Sequence, residues 1–177
     1  ATAPPTYENA GHNNNLSFIV TGDGVIVVNS GASYLLAKAL HDEIKVQTDQ
    51  PVKLVINENG QGHAMLGNNY WIEQGVPVLA HVDAAAEFEH SSAQALTSLK
   101  AYAKENAEGT DPMGPTETFT ETRDITMGDF TIQVLHLGPA HSPGDTQVWL
   151  PDQSFMIAGD IAFHERMPPI FQGTCTS

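Results

Sequence analysis

A chain of 177 residues with 41% hydrophobic residues has enough apolar side chain for a core of one domain's size, which excludes disorder as a general description. It carries 21 acidic against 7 basic side chains, a net charge of −14 with an isoelectric point near 4.6, which makes nucleic acid and anionic membrane poor partners, and neither is expected. The single cysteine, Cys175, excludes an internal disulfide and any cysteine-rich zinc module, and no apolar run approaches the roughly 18 residues of a membrane span.

The opening Ala1-Thr2-Ala3-Pro4-Pro5, without a methionine, reads either as a mature end left by signal cleavage or as an edited start, and the first reading gives the expectation of a periplasmic or secreted location. Residues 16–20 and 25–29 read as two strands, joined by Thr21-Gly22-Asp23-Gly24, whose Asp-Gly pair suits a tight hairpin. Ser30-Gly31-Ala32-Ser33 then caps a helix to about Val46, with Leu35, Leu36, Ala39, Leu40 and Ile44 on its apolar face and His41, Asp42, Glu43 and Lys45 solvated. Residues 52–56 form an apolar run of the kind buried on both faces of a sheet. The polar segment Asn57-Glu58-Asn59-Gly60-Gln61-Gly62-His63 follows, at the carboxyl end of that strand, where α/β layers bind ligands. Its glycines read as turn residues.

After a short helix through Tyr70 and Trp71 come a strand at 76–80 and a long helix at 84–106, with Phe88, Ala95, Leu99 and Tyr102 inward. Residues 109–115, with two prolines and two glycines, read as the linker between two halves, 1–108 and 116–177, of a single domain spanning 1–177. Beyond it the pattern is β: strands at 116–122, 130–137, 146–150 and 154–158. Trp71 and Trp149 read as core.

Three strand ends carry the reactive side chains: Glu58, Asn59, Gln61 and His63 on the first, Gly138-Pro139-Ala140-His141-Ser142-Pro143-Gly144-Asp145 on the second, and Ala158-Gly159-Asp160 on the third. Histidines and carboxylates on neighbouring loops can converge on one cation, because imidazole nitrogen and carboxylate oxygen both sit about 2.0–2.2 Å from a zinc-class ion. Each lone histidine also has a plain reading. His81 suits a helix cap, His136 a structural strand position, His41 and His90 solvated helix faces, and His12 and His164 are weaker ligand candidates.

The stretch from Leu137 to Thr146, followed by Val148-Trp149-Leu150-Pro151 and Ala158-Gly159-Asp160, resembles the "GHTPGDT…WLP…GD" block of the metallo-β-lactamase-fold superfamily. Asn14-Asn15-Leu16-Ser17-Phe18-Ile19-Val20, Asp23 through Gly31, and Val55-Ile56-Asn57 through Gly67-Asn68 fall in that family's order, so the likeness runs from about Gly11 to Pro169. It implies a four-layer αββα sandwich, here with the second half incomplete, in which His141 is a metal ligand and Asp160 bridges two metals. The chain departs from the family where a His-x-His-x-Asp-His signature is expected. It reads Asn59-Gly60-Gln61-Gly62-His63-Ala64: two amides replace two histidines, His63 replaces the aspartate, and Ala64 replaces a ligand. Asn29 stands where an aspartate usually supports the site.

The expectation is therefore one divalent ion, zinc, iron or manganese, held by His63, His141 and Asp160 with Gln61 and Asn59, and with Asp160 or Glu58 as the catalytic carboxylate that orients or deprotonates water. The implied reaction is metal-assisted hydrolysis of a small ester, lactone or amide. The rival is a non-catalytic binding or scaffold domain that kept the fold and lost the metal. Residues 166–170 resemble an apolar lip over substrate, and a missing last strand would leave a sheet edge open to homodimerisation.

Overall fold

The computed structural model describes residues 6–8 and 15–163. The expectations for His12, His164, the 166–170 lip and Cys175 lie outside those residues. Two sheets face each other. The first takes the order β1 (Ser17–Val20), β2 (Val25–Val28), β3 (Val52–Ile56), β4 (Val78–His81) and β5 (Glu117–Phe119). Only the β1–β2 pair is antiparallel, and the three later pairings are parallel crossovers. The second sheet is the meander β6 (Thr122–Met127), β7 (Phe130–Leu135), β8 (Gln147–Leu150) and β9 (Phe155–Ile157).

The period-two alternation of the strands divides the core. Ile26, Val28, Ile56, Leu79 and Phe119 point to Ile132, Val134, Val148 and Leu150 of the second sheet. Val25, Val27, Val55 and Val78 point the other way, against Ala37 and Ile44 of α1 (Tyr34–Gln47) and Tyr70 and Trp71 of α3 (Asn68–Glu73). Ala80 meets Ala84, Phe88, Leu99 and Ala103 of α4 (Val82–Ala103), together with α2 (Gly62–Met65). Fully burying each aliphatic side chain contributes about 1.5–3 kcal/mol. Helices thus cover the first sheet. Among the described residues no α-helix follows β5, only a 3-10 turn at Gly159–Ile161, so three of the four expected layers are in place.

Several local expectations need correction. Ser33 does cap α1, its hydroxyl accepting from Leu36 N at 3.1 Å, but the inward stripe is Ala37, Leu40, His41 and Ile44, while Leu35 and Ala39 are exposed. His41 is not a solvated residue: its Nδ1 meets Tyr70 Oη at 2.8 Å and its ring lies 5.1 Å from that of Trp71. Trp71 is core, with its indole N–H donating to Ser30 O at 3.1 Å, whereas Trp149 is half-buried on β8. Leu99 and Phe88 are buried on α4 as expected, while Ala95 and Tyr102 are only partly so. The single strand expected at 116–122 is two strands in different sheets, and the change of sheet falls at Thr120 and Glu121, past the 109–115 segment. β7 stops at Leu135, and Leu137 is exposed.

Candidate metal centre

The site sits where β3, β7 and β9 run out into loops, and backbone bonding tells why those loops meet. Asn29, in the left-handed region at φ 69°, turns its side chain so that Oδ1 accepts from Glu58 N at 3.0 Å, and Glu58 O accepts from Thr146 N at 2.7 Å. The first of these fixes the 57–61 loop to β2, and the second fixes it to the second sheet. The loop around His141 is wound on Asp145, whose carboxylate accepts from Ala140 N at 3.2 Å, His141 N at 2.5 Å, Ser142 N at 2.9 Å and Ser142 Oγ at 2.8 Å. Charge-assisted bonds of this kind are the strong ones.

Glycine matters at three positions. A Cβ on Gly60 or on Gly144 would run into the backbone of Ala84, so the first turn of α4 fits between the two loops only because both lack side chains there. Gly60 and Gly62 are not at positive φ, and the expectation that they serve as turn residues is corrected to close approach. Gly159 is at φ 60°, and a Cβ there would occupy the place of the Glu58 carboxylate.

The side chains converge. His63 Nε2 lies 3.0 Å from Asp160 Oδ2 and 3.6 Å from Glu58 Oε1, and His141 Nε2 lies 3.6 Å from the same Asp160 oxygen. Asn59 Nδ2 donates to Asp160 Oδ2 at 3.2 Å, Asn59 Oδ1 accepts from Gln61 N at 3.1 Å, and the Gln61 amide nitrogen meets His141 Nε2 at 3.0 Å. One ligating atom each from Glu58, His63 and Asp160 falls within 4.8 Å of the other two. All five expected ligands and Glu58 are therefore gathered, with Glu58 in the tight group and His141 at its margin, bonded to Gln61. Glu87 and Asp145 were not singled out from the sequence. Glu87 reaches the same loops from α4, where burial pushes its carboxyl up and the Gly60 backbone and Ser142 partly offset that. Nothing in its helical surroundings marks it in sequence, whereas Asp145, four residues past His141 in a glycine-proline turn, is readable as a loop anchor.

Burial alone would depress the His63 imidazole, but the Asp160 and Glu58 carboxylates outweigh it and raise its pKa to about 9. Burial likewise opposes the charge on Asp160, and the neighbouring His63, His141 and Asn59 outweigh it and hold that carboxyl below the usual range. His63 Nε2 is buried, and its short approach to Asp160 Oδ2 is an ion pair. A buried imidazole nitrogen between two carboxylates, beside a second imidazole, offers the nitrogen and oxygen donors that one cation takes. It does not fit a three-histidine cradle, since Asn59 and Gln61 are bonded amides.

A family model described as the metallo-beta-lactamase superfamily matches residues 64–172. Among solved structures, the metallo-beta-lactamase from Pontibacter korlensis is similar at 23% identity and a TM-score of 0.66, over 85% of this chain and 61% of that one. The crystal structure of metallo-beta-lactamase IND-7 is similar at 17% identity and a TM-score of 0.69, over 87% of this chain and 62% of that one. The chain thus spans less than two thirds of the length of these two structures.

Proposed function

Because the chain belongs to the metallo-beta-lactamase superfamily, we propose that it is a metal-dependent hydrolase of a small ester, lactone or amide, working at a single-ion site of zinc, iron or manganese. His63, Asp160 and Glu58 would hold the ion, with His141 completing the set. The observation that carries this reading is the convergence of the buried His63 Nε2 with two carboxylates, at 3.0 and 3.6 Å, and with His141 Nε2 3.6 Å from the same Asp160 oxygen. The chemistry that such an ion supplies when bound is Lewis acidity towards a carbonyl or phosphoryl oxygen.

The chain's own groups have separable tasks. Asn59 fixes the Asp160 carboxylate through its Nδ2–H, leaving the other oxygen, Oδ1, to accept a proton from an attacking water. Glu58, its backbone pinned by Asn29 and Thr146, presents its carboxylate from the opposite side and can share that proton. On the third side Gln61 donates to His141 Nε2, and its second amide N–H can steady a substrate oxygen. The loss of the imidazole cradle at Asn59 and Gln61 argues against β-lactam hydrolysis as the specific reaction.

The test is metal content by elemental analysis after chelator-free purification, with ester and lactone hydrolysis in parallel. One ion lost in His63→Ala and Asp160→Asn, together with activity, is the expected result; activity unchanged in both variants would overturn it. One observation favours the second reading, a binding domain without catalysis: the Asn59 and Gln61 amides are bonded within the site itself. That reading expects no hydrolysis and no fall in melting temperature on chelation.

A further inference from the structure

The two ligand loops of the main centre, His63–Asp160, are seated on one face of α4. Ala84 fills the gap that Gly60 and Gly144 leave between the loops, and Glu87 follows one turn later on the same face. A Cβ on Gly60 would stand 2.8 Å from Glu87 Oε2, so the 57–61 loop rests against that carboxyl. Glu87 also reaches Ser142, next to His141, and faces the Asp145 carboxylate. Donors around it are few. Its Oε2 is buried with no hydrogen-bond partner. Ser142 has little to give, since its one hydroxyl proton goes to Asp145 Oδ1 at 2.8 Å and its N–H to Asp145 Oδ2 at 2.9 Å. Two acids thus share a corner with unequal supplies: Asp145 accepts four bonds, and Glu87 is left with the Gly60 backbone. A buried carboxylate short of donors is costly, so the proton belongs on Glu87, whose pKa is raised by burial and by Asp145.

We propose that Glu87 is a positioning residue of the main centre: its carboxyl bridges the Gly60 backbone and the Ser142 side chain, and so sets the spacing of the loops that carry Glu58 and His141. The role rests on the single-ion reading of that centre. Glu87 acts as the neutral acid. One oxygen accepts from the Gly60 backbone, and its O–H donates to Ser142 Oγ, whose own proton goes on to Asp145 and the N–H groups wound around it. The bridge adds no further negative charge to Glu58, Asp145 and Asp160, which already crowd the corner. Glu87 touches neither ion nor substrate and acts through the two loops, as outer partners of metal ligands do. Phe88, buried beside Ala80 and Leu99, fixes the helix register that aims Glu87 at them.

The experiment compares wild type with Glu87→Gln, Glu87→Met and Glu87→Ala, in the chelator-stripped full chain, by amide hydrogen exchange and by Co2+ titration followed in the visible spectrum. Glutamine reproduces the donor and acceptor of the neutral acid, so Glu87→Gln is expected to keep wild-type exchange, Co2+ affinity and spectrum. Methionine fills the space without the bonds. Glu87→Met and Glu87→Ala are expected to speed exchange at Ser142 N, held by Asp145, and at Thr146 N, held by Glu58 O, and to weaken Co2+ binding about tenfold or more. Circular dichroism checks that each variant folds. Glu87→Gln losing as much as Glu87→Ala would overturn the neutral bridge. Wild-type behaviour in Glu87→Met would overturn it too, leaving Glu87 as a filler of space. No Co2+ uptake by wild type would remove the main centre, and exchange at Ser142 and Thr146 would then decide alone whether Glu87 spaces the loops.

Discussion

His63 sets the pH behaviour of the main centre. Its folded pKa of about 9 stands above the roughly 6.5 of an unfolded histidine, so the protonated imidazole is favoured by folding. The resulting stabilisation, on the order of 3 kcal/mol, is fully present below pH 6.5 and is lost as pH rises through 9. Melts of chelator-stripped protein are expected to show the midpoint falling between pH 6.5 and 9.5, and His63→Gln should remove that fall. A bound cation must displace the same proton, so below pH 9 metal affinity should rise about tenfold per pH unit. A flat affinity profile by competition titration would contradict the assignment of His63 as a ligand. Gly159 is a second residue-scale test. Gly159→Ala puts a side chain at positive φ and into the Glu58 carboxylate, so it should cost about 1–3 kcal/mol and weaken ion retention together. Denaturant melts and metal analysis of one preparation check both.

Among the elements, the two ligand loops depend on contacts that differ in how readily a sequence discloses them. The strand-helix alternation, the Ser33 cap and the three ligand-bearing strand ends follow from period and turn chemistry, which are local. The inward stripe of α1 did not: Leu35 and Ala39 fit a helical face, but the sheet crosses the helix one step round, over Ala37 and Ile44. The split of residues 116–122 between two sheets was hidden for a similar reason, since a β run does not disclose which partner it pairs with. Gly60 and Gly144 look like turn glycines in sequence, and only the approach of Ala84 from α4 shows that they are spaces. Gly144→Ala should therefore cost about 1–3 kcal/mol through overpacking, although its φ is ordinary. Asp145→Ala should cost more, about 2–4 kcal/mol, because it frees several buried donors at once. Equal stability of Asp145→Ala and wild type in urea would mean that the His141 loop is held by something else.

For the molecule as a whole, the proposed centre would draw its ligands from both sheets: Glu58 and His63 follow the first, and His141 and Asp160 belong to the second. The superfamily pattern makes His141 and Asp160 legible in sequence. Glu58 reads in sequence as a catalytic carboxylate beside the ion and not as a member of the ligand group, because its approach to His63 rests on the Asn29 and Thr146 bonds and the space left by Gly159. An ion held across two sheets stabilises their docking, not one loop, since whatever binds only the folded state shifts the whole equilibrium. Removing it should lower the midpoint by several degrees, at about 2–4 °C per kcal/mol for a chain of this size. It should also reduce hydrogen-exchange protection in the inter-sheet core, at Ile132 and Val148, and not only in the loops. In Asp160→Asn the ion's contribution to both should be absent before any chelator is added. Protection lost at residues 57–63 and 138–145 alone, with Ile132 and Val148 unchanged, would mean that the ion orders loops and that the sheets hold together through their apolar faces without it.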